Sequence, residues 1–423
     1  VYKRQGYNSN EQAELRGLIN LPLGDSGHAV RFSGFGIEGD HRFENPVSGQ
    51  GLNNARKYGG RGRMLLGLDR FGEGGLPGRL IVSADYTRED TDCCAFAVIN
   101  YDGLSPLNAP STAAASAELQ AELGDNALGQ PILSYNAFED SHGFSPPAAD
   151  PFDEDYWFDD DLSNEVSVGG LAIEWQNELA SGAGIDFINA WRHYTSDSAF
   201  DGDFTAYNAV SSQTEVELDQ FSSELRLTSP AGGVLEYQGG LYAFYSRFDS
   251  VGTFTQQPDL VHNVSIGPGL TLGNIFPDGT TNVDSNDYTT TSLAAYGQVV
   301  WNYSDKLSAT LGLRYTHEEK EREGSQITTP SFAIDLPPIA GPDIYLDDSR
   351  TDSDLSPAVN LRYFFAPDVM GYASISRGFK SGGFNQRREA STSNGEFDEE
   401  TATNYELGWK TSWLNRRLQF NGT

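Results

Sequence analysis

Apolar and polar side chains alternate at every second position along most of this 423-residue chain. In residues 307–315, Leu307, Leu311 and Tyr315 share one face of an extended chain, whereas Arg314 lies on the opposite face. A period of two is typical of β-strands that have one apolar and one polar face. It predicts an all-β fold of about fourteen strands, over residues 11–20, 28–38, 57–68, 79–87, 166–176, 184–196, 215–229, 234–248, 287–303, 307–321, 353–365, 370–386, 399–413 and 417–423.

The connections between these strands alternate in length. Short turns are predicted near residues 24–26, 231–233, 304–306, 366–368 and 415–416. Long polar connections are predicted over residues 39–56, 88–165, 197–214, 249–286, 322–352 and 387–398. Membrane barrels have short periplasmic turns and long extracellular loops, whereas a soluble sandwich has no such one-sided bias. The pattern therefore predicts an antiparallel up-and-down transmembrane β-barrel.

Aromatic residues cluster at both ends of the predicted strands. Beside the short turns lie Trp175, Tyr237, Trp301, Tyr303, Tyr363, Phe365, Tyr372 and Trp413. Toward the long loops lie Tyr86, Tyr245 and Tyr315. Two belts of aromatic rings are typical of the two lipid–water interfaces of a membrane. The alternative, a soluble aromatic core, is disfavoured because the opposite strand faces carry charged residues.

Three basic residues on those opposite faces are candidates for the lumen of the barrel. They are Arg314, Arg362 and Lys410, and Glu406 lies on the same face of its strand as Lys410. We predict that these cations either attract anionic ligands or form salt bridges to a plug domain that fills the lumen of a large barrel, or to neighbours such as Glu406.

Composition excludes several classes of function. The net charge is −32, from 28 Lys and Arg against 60 Asp and Glu, and phosphates would meet a repulsive field. We therefore expect no nucleic-acid partner. The catalytic patterns HExxH, GxSxG and GxxxxGKS/T are absent, and the six histidines are scattered along the chain. We predict neither enzymatic activity nor a cofactor.

The predicted connection 88–165 is strongly acidic. Its carboxylates Asp153, Asp155, Asp159 and Asp161 flank an aromatic run at residues 156–158. Clustered carboxylates suit a hard cation such as Ca²⁺, although no glycine turn or EF-hand spacing supports that interpretation. The alternatives are a solvated loop beside lipid headgroups and an aromatic lid over a ligand.

Two segments near the end of the chain carry a specific pattern. Residues 372–385 read YASISRGFKSGGFN, and residues 405–410 read YELGWK. The residues that carry the pattern are Tyr372, Arg377, Gly378, Phe379, Lys380, Gly382, Gly383, Phe384, Asn385, Tyr405, Glu406, Gly408 and Lys410. These segments resemble strand segments of the TonB-dependent receptors. Weaker matches at residues 84–94, 224–229 and 311–316 extend the resemblance over most of residues 6–423.

The resemblance implies a parent protein of the Gram-negative outer membrane, with 22 strands, an N-terminal plug and contact with outer-membrane lipid. The TonB complex would drive import of a small molecule or metal chelate, by default an iron–siderophore complex. A passive porin-like or structural outer-membrane barrel remains the alternative, and a secreted or surface-attached β-rich binding protein is a third.

The ends of the chain lead to one expectation about its organisation. Residues 1–5 look like translated sequencing adapter, and residues 418–423 stop within a strand-like pattern. We expect residues 6–423 to form part of a receptor barrel without its plug and its C-terminal strands.

Overall fold

The computed structural model describes residues 2–7, 12–24, 27–68, 77–92, 158–202, 208, 210–258, 265–267, 270–271, 277–330, 342–385 and 395–423. Its strands, in chain order, are β1 (Tyr2–Tyr7), β2 (Ala13–Leu23), β3 (His28–Gly39), β4 (Phe43–Glu44), β5 (Gly51–Leu52), β6 (Ala55–Gly67), β7 (Arg79–Thr91), β8 (Ser163–Glu178), β9 (Gly184–Asp201), β10 (Val210–Thr228), β11 (Leu235–Gln256), β12 (Ser265–Gly267), β13 (Leu270–Thr271), β14 (Thr281–Asn302), β15 (Leu307–Thr329), β16 (Ile344–Ala366), β17 (Val369–Lys380), β18 (Gly383–Phe384), β19 (Glu396–Phe397), β20 (Glu400–Trp413) and β21 (Leu418–Gly422). Across these described ranges, no helix is long and apolar enough to cross a bilayer.

Fifteen strands form one antiparallel sheet in which every long strand pairs with the next one along the chain. The order is β1-β2-β3-β6-β7-β8-β9-β10-β11-β14-β15-β16-β17-β20-β21. Three two-stranded ribbons, β4–β5, β12–β13 and β18–β19, lie in connections at the long-loop end. In the part of the chain that the structure describes, β1 and β21 are the two edges of the sheet. The predicted up-and-down antiparallel topology is confirmed.

Several strands are longer than the alternation predicts. The alternation predicts one strand that ends at residue 321 and a next strand that begins at residue 353. In the structure, the first of these strands, β15, reaches Thr329, and the second, β16, starts at Ile344. Polar residues occupy both faces over much of these extensions, as in the runs REGSQ over residues 322–326 and DDSRTD over residues 347–352. Backbone hydrogen bonds need no apolar side chains, so a sheet continues into water where the alternation signal stops.

Residues 2–7 add one strand that the sequence did not predict. They form β1, which pairs with β2 from Tyr2 opposite Leu18 to Tyr7 opposite Ala13. The interpretation of residues 1–5 as translated sequencing adapter stays a prediction. Backbone pairing requires no particular side chains, so this pairing does not bear on the origin of the residues.

The sheet has two chemically different faces. One face, which we call the outer face, exposes Leu241, Leu311 and Leu407 to 60%, 62% and 73%. These residues belong to apolar ladders across the strands, such as Leu311 opposite Val359. We call the opposite face, which carries Arg314, the inner face. Apolar ladders exposed over a whole sheet require a lipid environment, so the soluble-core alternative is wrong.

Exposed aromatic residues on the outer face form the two predicted belts. The lower belt, beside the short turns, includes Tyr237, Trp301, Tyr363 and Trp413. The upper belt, toward the long loops, includes Tyr86, Trp191, Phe221, Tyr245 and Tyr315. Rings at the lower edge also contact one another, since Trp301 meets Tyr303 and Tyr363 meets Phe365 edge to face. The belts define the height of the apolar band between them.

The assignment of Tyr372 to the lower belt is wrong. Strand β17 turns Ile375 to the outer face, where it lies opposite the exposed Tyr405. Tyr372 is an odd number of residues away and therefore lies on the inner face. Its hydroxyl accordingly reaches Glu406 on that face.

Candidate functional site

A short segment that follows β17 folds over the inner face of the sheet. Strand β17 pairs with β16 only as far as Ala358 opposite Ser376, and it then leaves this neighbour. The next residues, 381–385, lie against side chains of β14, β15 and β16. We call residues 381–385, with the sequence SGGFN, the anchored segment. They are the centre of the pattern that carries the family resemblance.

Lys320 holds the start of the anchored segment. Its Nζ donates hydrogen bonds of 2.8 Å to the Ser381 hydroxyl and of 2.8 Å to the Gly382 carbonyl. The Ser381 hydroxyl donates to Glu318, which is also an ion-pair partner of Lys320. The Gly382 N–H donates to Asp352 Oδ2 at 3.2 Å. The N–H and the carbonyl of Gly382 are therefore both satisfied by charged side chains of the wall.

Arg350 explains why residue 382 is glycine. Its side chain is 9% exposed and donates to both carboxylate oxygens of Asp352, at 2.8 and 2.9 Å. It also donates to Glu396 at 2.9 Å and to the Phe397 carbonyl at 2.8 Å. A Cβ atom on Gly382 would lie 2.3 Å from Cζ of Arg350. Only glycine fits against this guanidinium.

Arg322 holds the end of the anchored segment. It is ion-paired with Asp348, and its side chain is 3% exposed. Its guanidinium lies 4.8 Å from the ring centroid of Phe384, and Nη1 donates to the Asn385 carbonyl at 3.2 Å. The Tyr288 hydroxyl donates to the same carbonyl at 2.9 Å. The site is thus a rigid, paired network that fixes the start of a long extracellular connection.

The second part of the pattern is a tyrosine packed on a glycine. Tyr372 lies directly opposite Gly408, and a Cβ on Gly408 would be 2.6 Å from the tyrosine ring. The Tyr372 hydroxyl donates to Glu406, which also accepts a hydrogen bond of 3.1 Å from Thr423. Tyr296, Gly240 and Glu224 repeat this arrangement elsewhere on the inner face. These motif residues therefore stiffen the barrel wall.

The remaining motif residues have separate environments. Arg377 forms an ion pair of 2.8 Å with Asp354, whereas a Cβ on Gly378 would meet open space. Phe379 lies opposite Thr401, Lys380 opposite Glu400, and Lys410 opposite Met370. Gly383 packs under the ring of Phe397. Tyr405 is exposed on the outer face. Nothing in the structure explains the glycine at residue 378.

The three predicted lumen residues all lie on the inner face. Arg314 lies at the height of the upper belt, next to Tyr315, with its guanidinium 5.5 Å from the ring centroid of Tyr242 and 5.9 Å from that of Tyr296. Arg362 lies near the short-turn end of β16 and donates to the Ser308 hydroxyl at 3.0 Å. Lys410 lies near the short-turn end of β20. Their role toward a ligand remains a prediction.

The structure also reveals a group of arginines that sequence reasoning missed. Arg31 of β3 lies directly opposite Arg63 of β6, and Arg61 is two residues further along the same inner face. Arg16 of β2 lies on this face as well, with its guanidinium 5.9 Å from the ring centroid of Phe35. These residues are dispersed in sequence, and only the pairing of β2, β3 and β6 brings them together. Arg31, Arg61 and Arg63 form a basic patch in a strongly acidic protein, whereas Arg16 is ion-paired with Glu14.

The acidic connection is only partly within the described residues. Asp153 and Asp155 lie outside them, whereas Asp159 and Asp161 lie in a segment packed against the β4–β5 ribbon. Asn45 exchanges hydrogen bonds with the backbone of Phe158, and Leu52, Phe158 and Leu162 form a small buried cluster. The calcium site stays a prediction.

Asp159 has a partner that the sequence did not indicate. Its N–H donates to Oδ2 of the fully buried Asp201 at 3.3 Å. Burial, together with the charge of Asp201, raises the pKa of Asp159 to about 8. Burial also raises the pKa of Asp160, with a further contribution from Asp161. At neutral pH this loop therefore holds a carboxyl pair that retains a proton.

The fold defines the class of this protein. A fifteen-stranded antiparallel sheet with a lipid-facing apolar band, two aromatic belts and alternating connections is typical of the wall of an outer-membrane β-barrel. The family model described as "TonB dependent receptor-like, beta-barrel" matches residues 100–423. The chain belongs to the TonB-dependent receptor family of Gram-negative outer-membrane proteins.

Individual receptors resemble this chain in sequence or in fold. The pesticin receptor of Yersinia enterocolitica is 26% identical over 141 residues, which are 32% of this chain and 19% of that receptor. The ferric yersiniabactin uptake receptor of Yersinia pestis has a TM-score of 0.67 at 15% identity, covering 96% of this chain and 51% of the receptor. The ferripyoverdine receptor of Pseudomonas aeruginosa, bound to ferripyoverdine, has a TM-score of 0.59 at 16% identity, covering 99% and 47%. At these identities the two solved structures show a shared fold, and the chain spans about half of their length.

Proposed function

We propose that this chain forms part of the barrel of a receptor that imports a large, scarce nutrient with energy from TonB. The default ligand is an iron–siderophore complex. Membership of the TonB-dependent receptor family carries the proposal. The uptake receptor for ferric yersiniabactin and the receptor for ferripyoverdine, which share the fold, support the ligand class.

The inner face is consistent with an anionic ligand or an acidic plug. The protein as a whole has a net charge of −32, yet Arg31, Arg61 and Arg63 are grouped on the inner face. Cations that line a low-dielectric channel attract anions and hold them near the wall. The heights of Arg362 and Lys410 favour contact with whatever fills the lower lumen, because the extracellular mouth is at the opposite end of their strands.

The anchored segment has a supporting role in this proposal. Ligand capture in such a receptor takes place on long external connections, and these need a rigid base. Lys320 and Arg322 clamp the start of one such connection to the wall, and Arg350 holds its other end through the Phe397 carbonyl. We infer that this network sets the direction in which the β17–β20 connection leaves the barrel.

Binding and conductance together test the proposal. Outer-membrane vesicles that contain the full-length receptor to which this chain belongs are titrated with ferric complexes of hydroxamate, catecholate and mixed-ligand siderophores, with the iron-free siderophores as controls. We expect saturable binding of one ferric class and no steady ion conductance in planar bilayers. An open, ion-conducting pore without saturable binding would instead support the passive porin-like alternative.

A further inference from the structure

A second group of chemically active side chains lies on the outer face, away from the anchored segment. His193 of β9 is directly opposite Asp219 of β10, and Glu217 lies two residues nearer the extracellular end of β10. The next outer-face pair below is Trp191 opposite Phe221, whose rings belong to the upper aromatic belt. The group therefore lies just beyond the apolar band, at the height of the lipid headgroups.

The three side chains converge. One nitrogen or oxygen atom from each of His193, Glu217 and Asp219 lies within 4.8 Å of the other two. Nδ1 of His193 is 3.1 Å from Oδ1 of Asp219. Trp191 orients both residues, because its indole N–H donates to the same Oδ1 at 2.9 Å and its ring stacks on the imidazole at 6.0 Å. Hydrogen bonds of this kind fix the direction of metal-binding side chains.

The arginine on the neighbouring strand β11 does not neutralise this group. Arg247 of β11 lies directly opposite Asp219. Its guanidinium instead forms ion pairs of 3.2 Å with Asp249 and 2.6 Å with Asp287. Glu217 and Asp219 are thus two carboxylates on one face of one strand, and like charges at that spacing repel each other. A bound cation would remove the repulsion.

One imidazole and two carboxylates are a donor set for first-row transition metals, whereas Ca²⁺ and Mg²⁺ take oxygen ligands only. Metal–ligand distances of about 2.0–2.2 Å place tetrahedral ligands roughly 3.3 Å apart. The His193–Asp219 separation of 3.1 Å already meets this requirement, and the exposed Glu217 has the rotatable bonds to close the remainder.

We propose that His193, Glu217 and Asp219 form a surface site for a divalent transition-metal ion, with Zn²⁺ as the representative. Three protein ligands leave at least one coordination position open, and here that position faces the headgroup layer. Because the ligands come from two strands, a bound ion would also link β9 to β10 on the outside of the barrel.

The test is metal binding by the whole protein, extracted from outer membranes in detergent and freed of metal with EDTA. Calorimetric titration with Zn²⁺ is expected to show saturable binding that weakens at least tenfold in H193N and in E217Q. Titration with Co²⁺ gives a second readout, because its visible absorption reports the geometry of the ligands. We expect the spectrum of the bound ion to be lost in both variants.

His317 supplies a matched control. It lies at the same height on the outer face, two residues above Tyr315 of the upper belt, and Glu319 follows two residues later. Its Nδ1 is 2.9 Å from the Ser353 hydroxyl, so a serine stands where the cluster has Asp219. H317N is expected to bind Zn²⁺ like the native protein. Absence of Zn²⁺ binding, equal weakening in H317N and H193N, or equal competition by Ca²⁺ would overturn the proposal.

Discussion

Two glycines of one motif show how differently neighbouring residues are constrained. A Cβ on Gly382 would lie 2.3 Å from Arg350 Cζ and 2.4 Å from the carbonyl oxygen of Phe397. A Cβ on Gly378, four residues earlier, would meet nothing within 4 Å. Both glycines belong to the motif that resembles the receptor family, so the sequence does not distinguish their roles. The structure shows that only Gly382 is tightly packed.

Gly382→Ala is expected to displace the anchored segment, because the Phe397 backbone oxygen cannot move aside. Overpacking of this kind costs about 1–3 kcal/mol. Denaturant unfolding in detergent micelles measures the loss, and proteolysis of the β17–β20 connection reports its release. Gly378→Ala is the control, with an expected change within about 0.5 kcal/mol. Equal effects of the two substitutions would show that the clamp is not formed.

The Asp159–Asp201 pair predicts a pH-dependent extracellular loop. The folded pKa of Asp159, about 8, is above that of an unfolded aspartate, so the folded loop binds the additional proton. Its stability is greatest at low pH and is lost as the pH rises toward and through 8. Hydrogen exchange of residues 43–52 and 158–162, corrected for intrinsic rates, is expected to be slower at pH 5 than at pH 9.

Asp159→Asn should remove this pH dependence, because an amide does not titrate. Asp161→Asn, which alters an exposed carboxylate of the same segment, should retain it. Equal protection of the native loop at the two pH values would contradict the proton-sharing pair.

At the scale of the strand, alternation determines which residues face lipid. It predicted fourteen strands close to their observed positions, since each membrane-spanning segment must keep one face apolar. It could not predict how far β14, β15 and β16 extend into water, because polar residues there occupy both faces. The assignment of Tyr372 to the lower belt rested on its distance from a turn and not on its register in the strand. That assignment therefore placed the ring on the wrong face.

Adjacent residues of β15 test the two faces directly. Leu311 is on the outer face between the belts, and Thr310 is on the inner face. Leu311→Arg should destabilise the folded protein in bilayers by about 2–4 kcal/mol, the cost of an arginine in lipid. Thr310→Arg should cost far less because its side chain enters the lumen. Urea unfolding in lipid vesicles measures both, and a larger loss for Thr310→Arg would reverse the assignment of the faces.

For the whole molecule, the sequence carried the fold and the family but left the contacts of the site open. Alternation and the 372–410 pattern are local signals, and these sufficed for a membrane barrel of the TonB-dependent receptors. The partners of Gly382, of Asp159 and of Arg63 come from strands far away in the chain. Such contacts follow from strand order and register, which no single segment encodes.

Uptake of iron tests the proposed transport most directly. Gram-negative cells that lack their own siderophore receptors, and that express the full-length receptor to which this chain belongs, are given ⁵⁵Fe-labelled siderophore complexes with TonB present or deleted. We predict that iron accumulates only when both the receptor and TonB are present. Equal accumulation without TonB, or no accumulation of any ferric complex despite assembly in the outer membrane, would contradict energised import of iron by this protein.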